Sequence, residues 1–154
     1  MIKILFSILL GVLLAFFIGL GIEAFYPTEK FPEAPSELQY QKGEPTQQQL
    51  DLQKEQDAKI KAYQERNEKH ARNISMIAIA ASILFMALSL TVLQKLSSVF
   101  PDGFLIGSIL TLIYGIIRGF ESSDNKFRFL IVTVGLLAAF VLGYIKFIRQ
   151  ETKN

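Results

Sequence analysis

Hydrophobic positions along this chain do not recur at strand or amphipathic-helix intervals. They run together in four long stretches, at 4–22, 74–93, 104–117 and 129–148, divided by polar segments of very unequal length. A helix needs roughly 20 mostly apolar residues to cover about 30 Å of hydrocarbon; three of the stretches reach that length, and the third does so with its aromatic flanks. A helix that is apolar all round must be buried on every side, in a large core or in lipid. A chain of 154 residues carrying four such stretches has no room for a large core around them. The pattern predicts an all-α integral membrane protein with four transmembrane helices in a bundle.

The polar segments carry their own periodicity. Between Tyr26 and Thr46, Pro27, Pro32, Pro35 and Pro45 alternate with Glu29, Glu33, Glu37 and Glu44. Proline lacks the backbone donor and pushes the residue before it out of the helical region, so this stretch should be an extended linker or surface strap. From Gln47 the prolines stop, and acid-before-base pairs follow at helical spacing: Glu55 with Lys59, Asp57 with Lys61, Glu65 with Lys69, and Glu68 with Arg72. The expected organisation is a first transmembrane helix over 1–26, a Pro/Glu-rich linker over 27–46, and a polar helix over 47–73 that extends the second span. Three spans with short connections and a short C-terminal tail fill 74–154. Leu50, Leu52, Ile60 and Tyr63 form no sustained apolar stripe, so the polar helix reads as a solvated stalk. The sequon Asn73-Ile74-Ser75 falls where a helix enters the membrane and not on an open loop.

Within the spans the small residues have an order of their own. All glycines of the third stretch and its flanks fall in one four-residue phase, completed by Thr111: Gly103, Gly107, Thr111, Gly115 and Gly119. The first span has Ser7, Gly11, Ala15 and Gly19, the fourth Gly135, Ala139 and Gly143, and the second a weaker pair, Ala78 and Ser82. Helices in lipid associate through close van der Waals contact, which small residues permit, so these rows are the expected packing surfaces; Ile109 and Leu112 fall on other faces. The rule is the same within one chain and between copies, so the rows fit a monomeric bundle or a homo-oligomer. The turn from Ser97 through Pro101 to Asp102 can start the third helix, and Ser123 and Asp124 can cap the fourth. Short turns make spans two, three and four sequential antiparallel neighbours.

Composition narrows the function classes. Hydrophobic residues make up 51% of the chain before its ten glycines are counted, above the level of soluble domains. The net charge of +2 comes from interspersed signs, without the clustered basic face that nucleic acid requires. There is no cysteine and one histidine, His70, and no phosphate loop, zinc-protease helix or nucleophile elbow. The expectation is therefore no enzyme, no cofactor and no metal. Ionisable residues are missing from the middle of every span, where transport chemistry would place them. Glu23 and Arg118, at span ends, are the candidate interfacial charges, acting as separate anchors or as a pair.

Lys3 ahead of an apolar run, with Ala24 beyond it, could also be a signal peptide. The run exceeds the usual 7–15 residues of a signal core, and an uncleaved anchor is expected. Orientation is contested. Lys3 opposite Glu23, Glu29 and Glu33 favours an inside amino terminus, with Lys146, Arg149 and Lys153 inside as well. The count of Lys and Arg alone, from Lys59, Lys61, Arg66, Lys69, Arg72, Lys126 and Arg128, favours the opposite. First spans usually dominate, which gives cytoplasmic termini and loop 27–73 outside. The functional expectation is a non-enzymatic accessory or scaffold subunit of a membrane complex, with the lipid bilayer and a membrane-protein partner, or a homo-oligomer, around it. The alternative is a small oligomeric channel or transporter, for which Ser108, Thr111, Tyr114 and Arg118 supply a thin polar face.

Overall fold

The computed structural model describes residues 1–33, 35, 46–91, 93 and 99–145. Glu37, Lys42, Glu44 and Pro45 of the Pro/Glu-rich stretch, the turn residues Ser97 and Ser98, Lys95, and the cationic tail with Lys146, Arg149 and Lys153 lie outside the described residues. The described structure contains no strand and has four α-helices: α1 (Ile2–Phe25), α2 (Gln47–Thr91), α3 (Val99–Gly119) and α4 (Asn125–Gly143). Each is long and apolar enough to cross a membrane, which is compatible with a membrane location. The chain divides into two units, Met1–Pro27 with Ala71–Asn154, and Thr28–His70.

The first unit is organised around α3, and the reason lies in the pitch of its glycine row. Four residues advance about 40° beyond one full turn of a helix with 3.6 residues per turn. Over the interval from Gly103 to Gly119 the drift accumulates to about 160°. The row is therefore a shallow spiral and not a single face, and it meets three helices in succession. Gly103 and Gly107 lie against α1: a Cβ at Gly103 would stand 2.7 Å from Leu10 Cδ2, and one at Gly107 would stand 2.9 Å from the Gly11 carbonyl oxygen. The approach is reciprocal, since a Cβ at Gly11 would stand 2.9 Å from the Gly103 carbonyl oxygen. Gly115 lies against α2, where its Cβ would be 3.1 Å from Ala78 Cβ and 3.2 Å from Ile79 N. Gly119 faces both Ser75 of α2, 2.7 Å to the hydroxyl, and Ile131 of α4.

These contacts set the directions of the helices. Residues 7, 10, 11 and 14 of α1 meet residues 99, 103 and 107 in rising order, so α1 and α3 run parallel. Ser75 Oγ donates to the Gly115 carbonyl at 2.7 Å and Ser89 Oγ to the Pro101 carbonyl at 2.6 Å, which fixes α2 antiparallel to α3. The same fourteen-residue interval separates the two contacts on each helix, so the register holds over about 21 Å. Ser75, Ser82 and Ser89 are seven residues apart and all buried, the spacing of a left-handed helix pair. Their hydroxyls have partners: Ser82 donates to its own helix at Ile79, as Ser108 and Thr111 do at Leu105 and Gly107. A hydroxyl that bonds its own backbone is small and self-satisfied, and it can be buried without an orphaned donor. On α4, Ile131 against Gly119 and Gly135 against Ile116 give the last antiparallel pair.

Two apolar clusters flank α3. Ile18, Ile22, Ile74 and Ala78 pack with Leu14, Phe85 and Tyr114 on the α1 side, and Ile79, Leu112, Phe127 and Ile131 with Ile116 and Val134 on the α4 side. Leu112 thus belongs to a buried face, whereas Ile109 is exposed. Helix α3 is buried on two sides because it stands between α1 and α4. The outward faces have the opposite character: Phe6, Phe16, Phe17, Leu20, Phe129, Leu136, Leu137 and Phe140 are all exposed.

The small-residue rows of the outer helices divide. On α1, Ser7 and Gly11 are buried, Ala15 is half-buried, and a Cβ at Gly19 would meet nothing within 4 Å. On α4, Gly135 is buried, Ala139 is exposed, and Gly143 again has open space. This contrast is a direct test of the packing. Gly11→Ala and Gly107→Ala place a methyl against backbone oxygen that cannot move aside, and each should lower stability by about 1–3 kcal/mol. Gly19→Ala should be neutral or stabilise by up to roughly 1 kcal/mol, because alanine favours the helix. Thermal melting followed by circular dichroism in detergent would separate the two groups; equal melting temperatures would refute the close approach.

Candidate functional site

Chemistry-bearing side chains of the first unit concentrate at the end of the bundle where α1 finishes and α3 turns into α4. The turn is closed by Phe120 N–H to the Ile116 carbonyl and Ser122 N–H to the Gly119 carbonyl. Asp124 caps α4: its side chain accepts from Lys126 N at 2.9 Å and more weakly from Phe127 N at 3.4 Å, covering donors that the first helical turn leaves unpaired. The other Asp124 oxygen lies 3.8 Å from Arg72 Nη1, and the Arg72 guanidinium stands 4.8 Å from the centre of the Phe127 ring. Arg128 Nε donates to the carbonyl of Ser122, a residue fully buried in the turn. Asn73 Nδ2 donates to the Tyr26 hydroxyl at 2.9 Å, joining α2 to the residue after α1.

Both candidate interfacial charges are at this end. Glu23 is exposed near the end of α1. Arg118 donates through Nη1 to both oxygens of Glu121, at 2.7 and 2.9 Å, so the carboxylate that meets it is three residues along its own chain. Its Nε is buried and has no hydrogen-bond partner among the described residues. Arginine with a carboxylate or aromatic companion at a helix end is the side chain that reaches from an apolar stem to a wet boundary.

The second unit is a strap laid on a helix. Residues 28–33 run antiparallel to α2: Thr28 Oγ1 is 3.3 Å from His70 Nε2, the Tyr63 hydroxyl donates to the Glu29 carbonyl at 3.2 Å, and Gln56 Nε2 donates to the Glu33 carbonyl at 3.3 Å. Arg66 Nε pairs with the Glu29 carboxylate at 2.8 Å. Phe31 packs edge-on against Tyr63, ring centres 5.3 Å apart. The covered face of the helix is therefore Gln56, Tyr63 and His70, seven residues or about two turns apart, with Gln56 buried. This departs from the solvated stalk expected of the sequence. An apolar count misses the face because two of its three positions are polar, Gln56 bonding the strap's backbone and His70 its Thr28 side chain. Thr46 and Gln49 form half of a capping box at the start of α2, with the side-chain Oε1 of Gln49 accepting from Thr46 N at 2.8 Å. Elsewhere on the helix the Lys59 ammonium, 2.7 Å away, holds the Glu55 carboxyl below its ordinary range through a hydrogen bond and then through charge.

No group of three or more metal-ligating side chains occurs among the described residues. Ser75 of the sequon is fully buried in the bundle and bonded to Gly115, a position closed to a glycosylating enzyme. The described side chains thus build a pinned, charged bundle end and a strapped polar helix. No protein-family model, curated protein or solved structure matches the chain.

Two substitutions separate the roles of Asp124. Asp124→Ala should cost roughly 0.5–2 kcal/mol through loss of the cap, whereas Asp124→Asn keeps the cap acceptor and removes only the long, exposed Arg72 pair, so it should cost under about 1 kcal/mol. Amide exchange of Lys126 and Phe127 should accelerate in the alanine variant alone; equal exchange in both variants would assign the effect to charge.

Within the strap, Phe31→Ala should speed exchange of the Tyr63 and Arg66 side-chain environments more than Glu29→Gln, because the Glu29–Arg66 pair is more than half exposed on both sides. Nuclear magnetic resonance of the aromatic and guanidinium protons reads this ordering directly, and the reverse ordering would make the ion pair the dominant clasp.

Proposed function

We propose that the protein is a four-span membrane protein and a non-enzymatic accessory or scaffold subunit, with its bundle as anchor and the segment between α1 and α2 as the surface a partner meets. The observation that supports this best is the inversion of the first unit. Glycine and hydroxyl residues are inside, at Gly11, Gly103, Gly107, Ser75, Ser82, Ser89 and Ser108, and large apolar side chains are outside. A soluble monomer rarely exposes an apolar patch beyond a few hundred Å². In lipid the same surface is solvated, and small residues inside are what helix association requires.

A pore along α3 finds less support. Ser108 and Thr111, two of the four residues that could have polarised it, are buried at 0% and 1% exposure and their hydroxyls bond their own helix. A conducting path needs polar groups turned to water. Glu23, exposed at the end of its helix, is solvated already and is poorly placed for proton coupling at membrane depth. The scaffold reading assigns the bundle to anchoring and the polar bonds of the strap to presentation of a fixed surface, with partner choice left to Thr28–His70 and to the α3–α4 turn.

Because the chain has no cysteine, single cysteines report topology without background. Ala58→Cys and Ser123→Cys should both react with an impermeant thiol reagent in intact cells if both termini are cytoplasmic, and the protein should stay with membranes through an alkaline wash. Labelling of both only after lysis would reverse the orientation; release by the wash would defeat the membrane reading. Purification in mild detergent from native membranes should bring down a stoichiometric membrane partner, whereas a lone chain with ion flux in vesicles would favour the channel.

A further inference from the structure

Within the second unit, the face of α2 that carries Gln56 and Tyr63 holds the strap chiefly by its main chain. The Tyr63 hydroxyl donates to the carbonyl of Glu29 and Gln56 Nε2 to the carbonyl of Glu33, so neither donor depends on the side chain of the residue it holds. The two donors are seven residues apart on the helix, a rise of about 10 Å, and the carbonyls they meet are four residues apart on the strap. Four residues of extended or polyproline backbone cover about 12–14 Å, whereas four residues of helix cover only about 6 Å. The occupant of this face must therefore be extended. A chain of the polyproline kind makes no hydrogen bonds of its own, which leaves its carbonyls for donors on another surface. Pro27 and Pro32 favour that form in the strap, and Phe31 lies edge-on against the Tyr63 ring. An aromatic surface that receives a preformed extended segment is a general mode of peptide recognition.

The strap fills this face loosely. Phe31 keeps 60% of its surface exposed, and the side chains of Arg66 and Glu29 are 58% and 59% exposed in their ion pair. Exposed pairs of this kind contribute little to holding a segment in place. The two bonds to the strap's carbonyls run at 3.2 and 3.3 Å, longer than the usual value of about 2.9–3.0 Å. The helix supplies fixed donors, and the strap is the replaceable part. Arg66 places a cation beside the Tyr63 donor, which favours an occupant with a carboxylate two residues ahead of its aromatic ring, as Glu29 stands ahead of Phe31. We propose that this face of α2 is a docking site for an extended, proline-containing segment of a partner protein that carries a carboxylate two residues ahead of an aromatic ring. The strap occupies the site within its own chain until such a segment displaces it. The inference rests on the scaffold reading above and gives the chemistry of the partner.

The test uses the full chain, purified in detergent, and a fluorescent peptide with the sequence of residues 27–35, its binding read by anisotropy. A strap that competes for the face lowers the apparent affinity by the fraction of chains in which the face is open. Phe31→Ala loosens the strap and should raise peptide affinity roughly tenfold over the wild type. In that background Tyr63→Phe, which keeps the ring and removes the donor, should lower affinity roughly fivefold, and Arg66→Gln should lower it by a smaller factor. A peptide with its phenylalanine replaced by alanine, or one of the same composition in scrambled order, should bind roughly tenfold more weakly, which tests the face even where a protein variant folds poorly. Also in the Phe31→Ala background, a short bis-maleimide bridge from Lys30→Cys to Asn67→Cys within one chain should abolish binding that the unbridged form shows. Equal affinity in wild type and Phe31→Ala, affinity unchanged by Tyr63→Phe, or equal binding of the scrambled peptide would each overturn the site. A bridge that forms between chains would overturn the partner assignment in favour of a second copy. Co-purification of a native partner tests the scaffold reading separately, so a peptide that fails to bind counts against this site alone.

Discussion

The arrangement of the described apolar helices depends on one constraint, the approach of the α1 and α3 backbones at Gly11, Gly103 and Gly107. Each glycine faces a carbonyl oxygen or the branch point of a leucine or isoleucine on the other helix, at distances no side chain could share. Helices that gain nothing from expelling water need such proximity, since dispersion falls off within an ångström or so of contact. Parallel alignment of α1 and α3 follows from the register. Helix α2 must come back between them, and its Ser75 and Ser89 clasps hold it in antiparallel register.

Hydroxyls do a second kind of work in this interior. Seven buried serines and threonines lie in or beside the bundle, and three of them, Ser7, Ser75 and Ser89, donate to carbonyls on a neighbouring helix. Measured interhelical hydrogen bonds in membranes average under about 1 kcal/mol, so their larger contribution is to direction and register. A carbonyl offers a bond only at its own height on the helix, and an error of one turn would leave the serine without that partner. Small size and a single directional bond together make α2 adopt one position along α3.

How much of this was legible in the sequence follows from what each rule counts. Four apolar runs are counted by length, and four helices stand over them. The glycine phase was legible as a row, but the row reads as one face only if a four-residue step is taken as one turn; its 40° drift carries Gly115 to Ala78 and Gly119 to Ile131, and it brings Leu112 inside with them. The strap was beyond an apolar count for another reason. Gln56 and His70 face it through hydrogen bonds, and a stripe of mixed chemistry leaves no hydrophobic period. The seven-residue serine row and the Thr46–Gln49 pair were both present as patterns, and a search for small polar residues at heptad spacing and for capping boxes would have found them. At the bundle end, Arg118 and Glu23 could be ranked as boundary residues by position. That Arg118 would take Glu121 depended on the turn geometry after Gly119, which no spacing rule supplies.

Among the described residues, the ionisable side chains of the apolar helices stand near their ends: Lys3 and Glu23 on α1, Asp102 and Arg118 on α3, Lys126 and Arg128 on α4. A charge at bilayer depth costs several kcal/mol even after relaxation and is kept where it does work. Among the described residues, the interior of the bundle is held instead by close small-residue contacts and hydroxyl bonds. The described charged side chains of these helices therefore gather at the two ends of the bundle. At one of them α3 turns into α4 through Glu121, Ser122 and Asp124, which are already engaged with Arg118, Arg128 and Arg72; that end is committed to holding itself together. At the other, Lys3, Ser7 and Asp102 line a cavity between the first turns of α1 and α3.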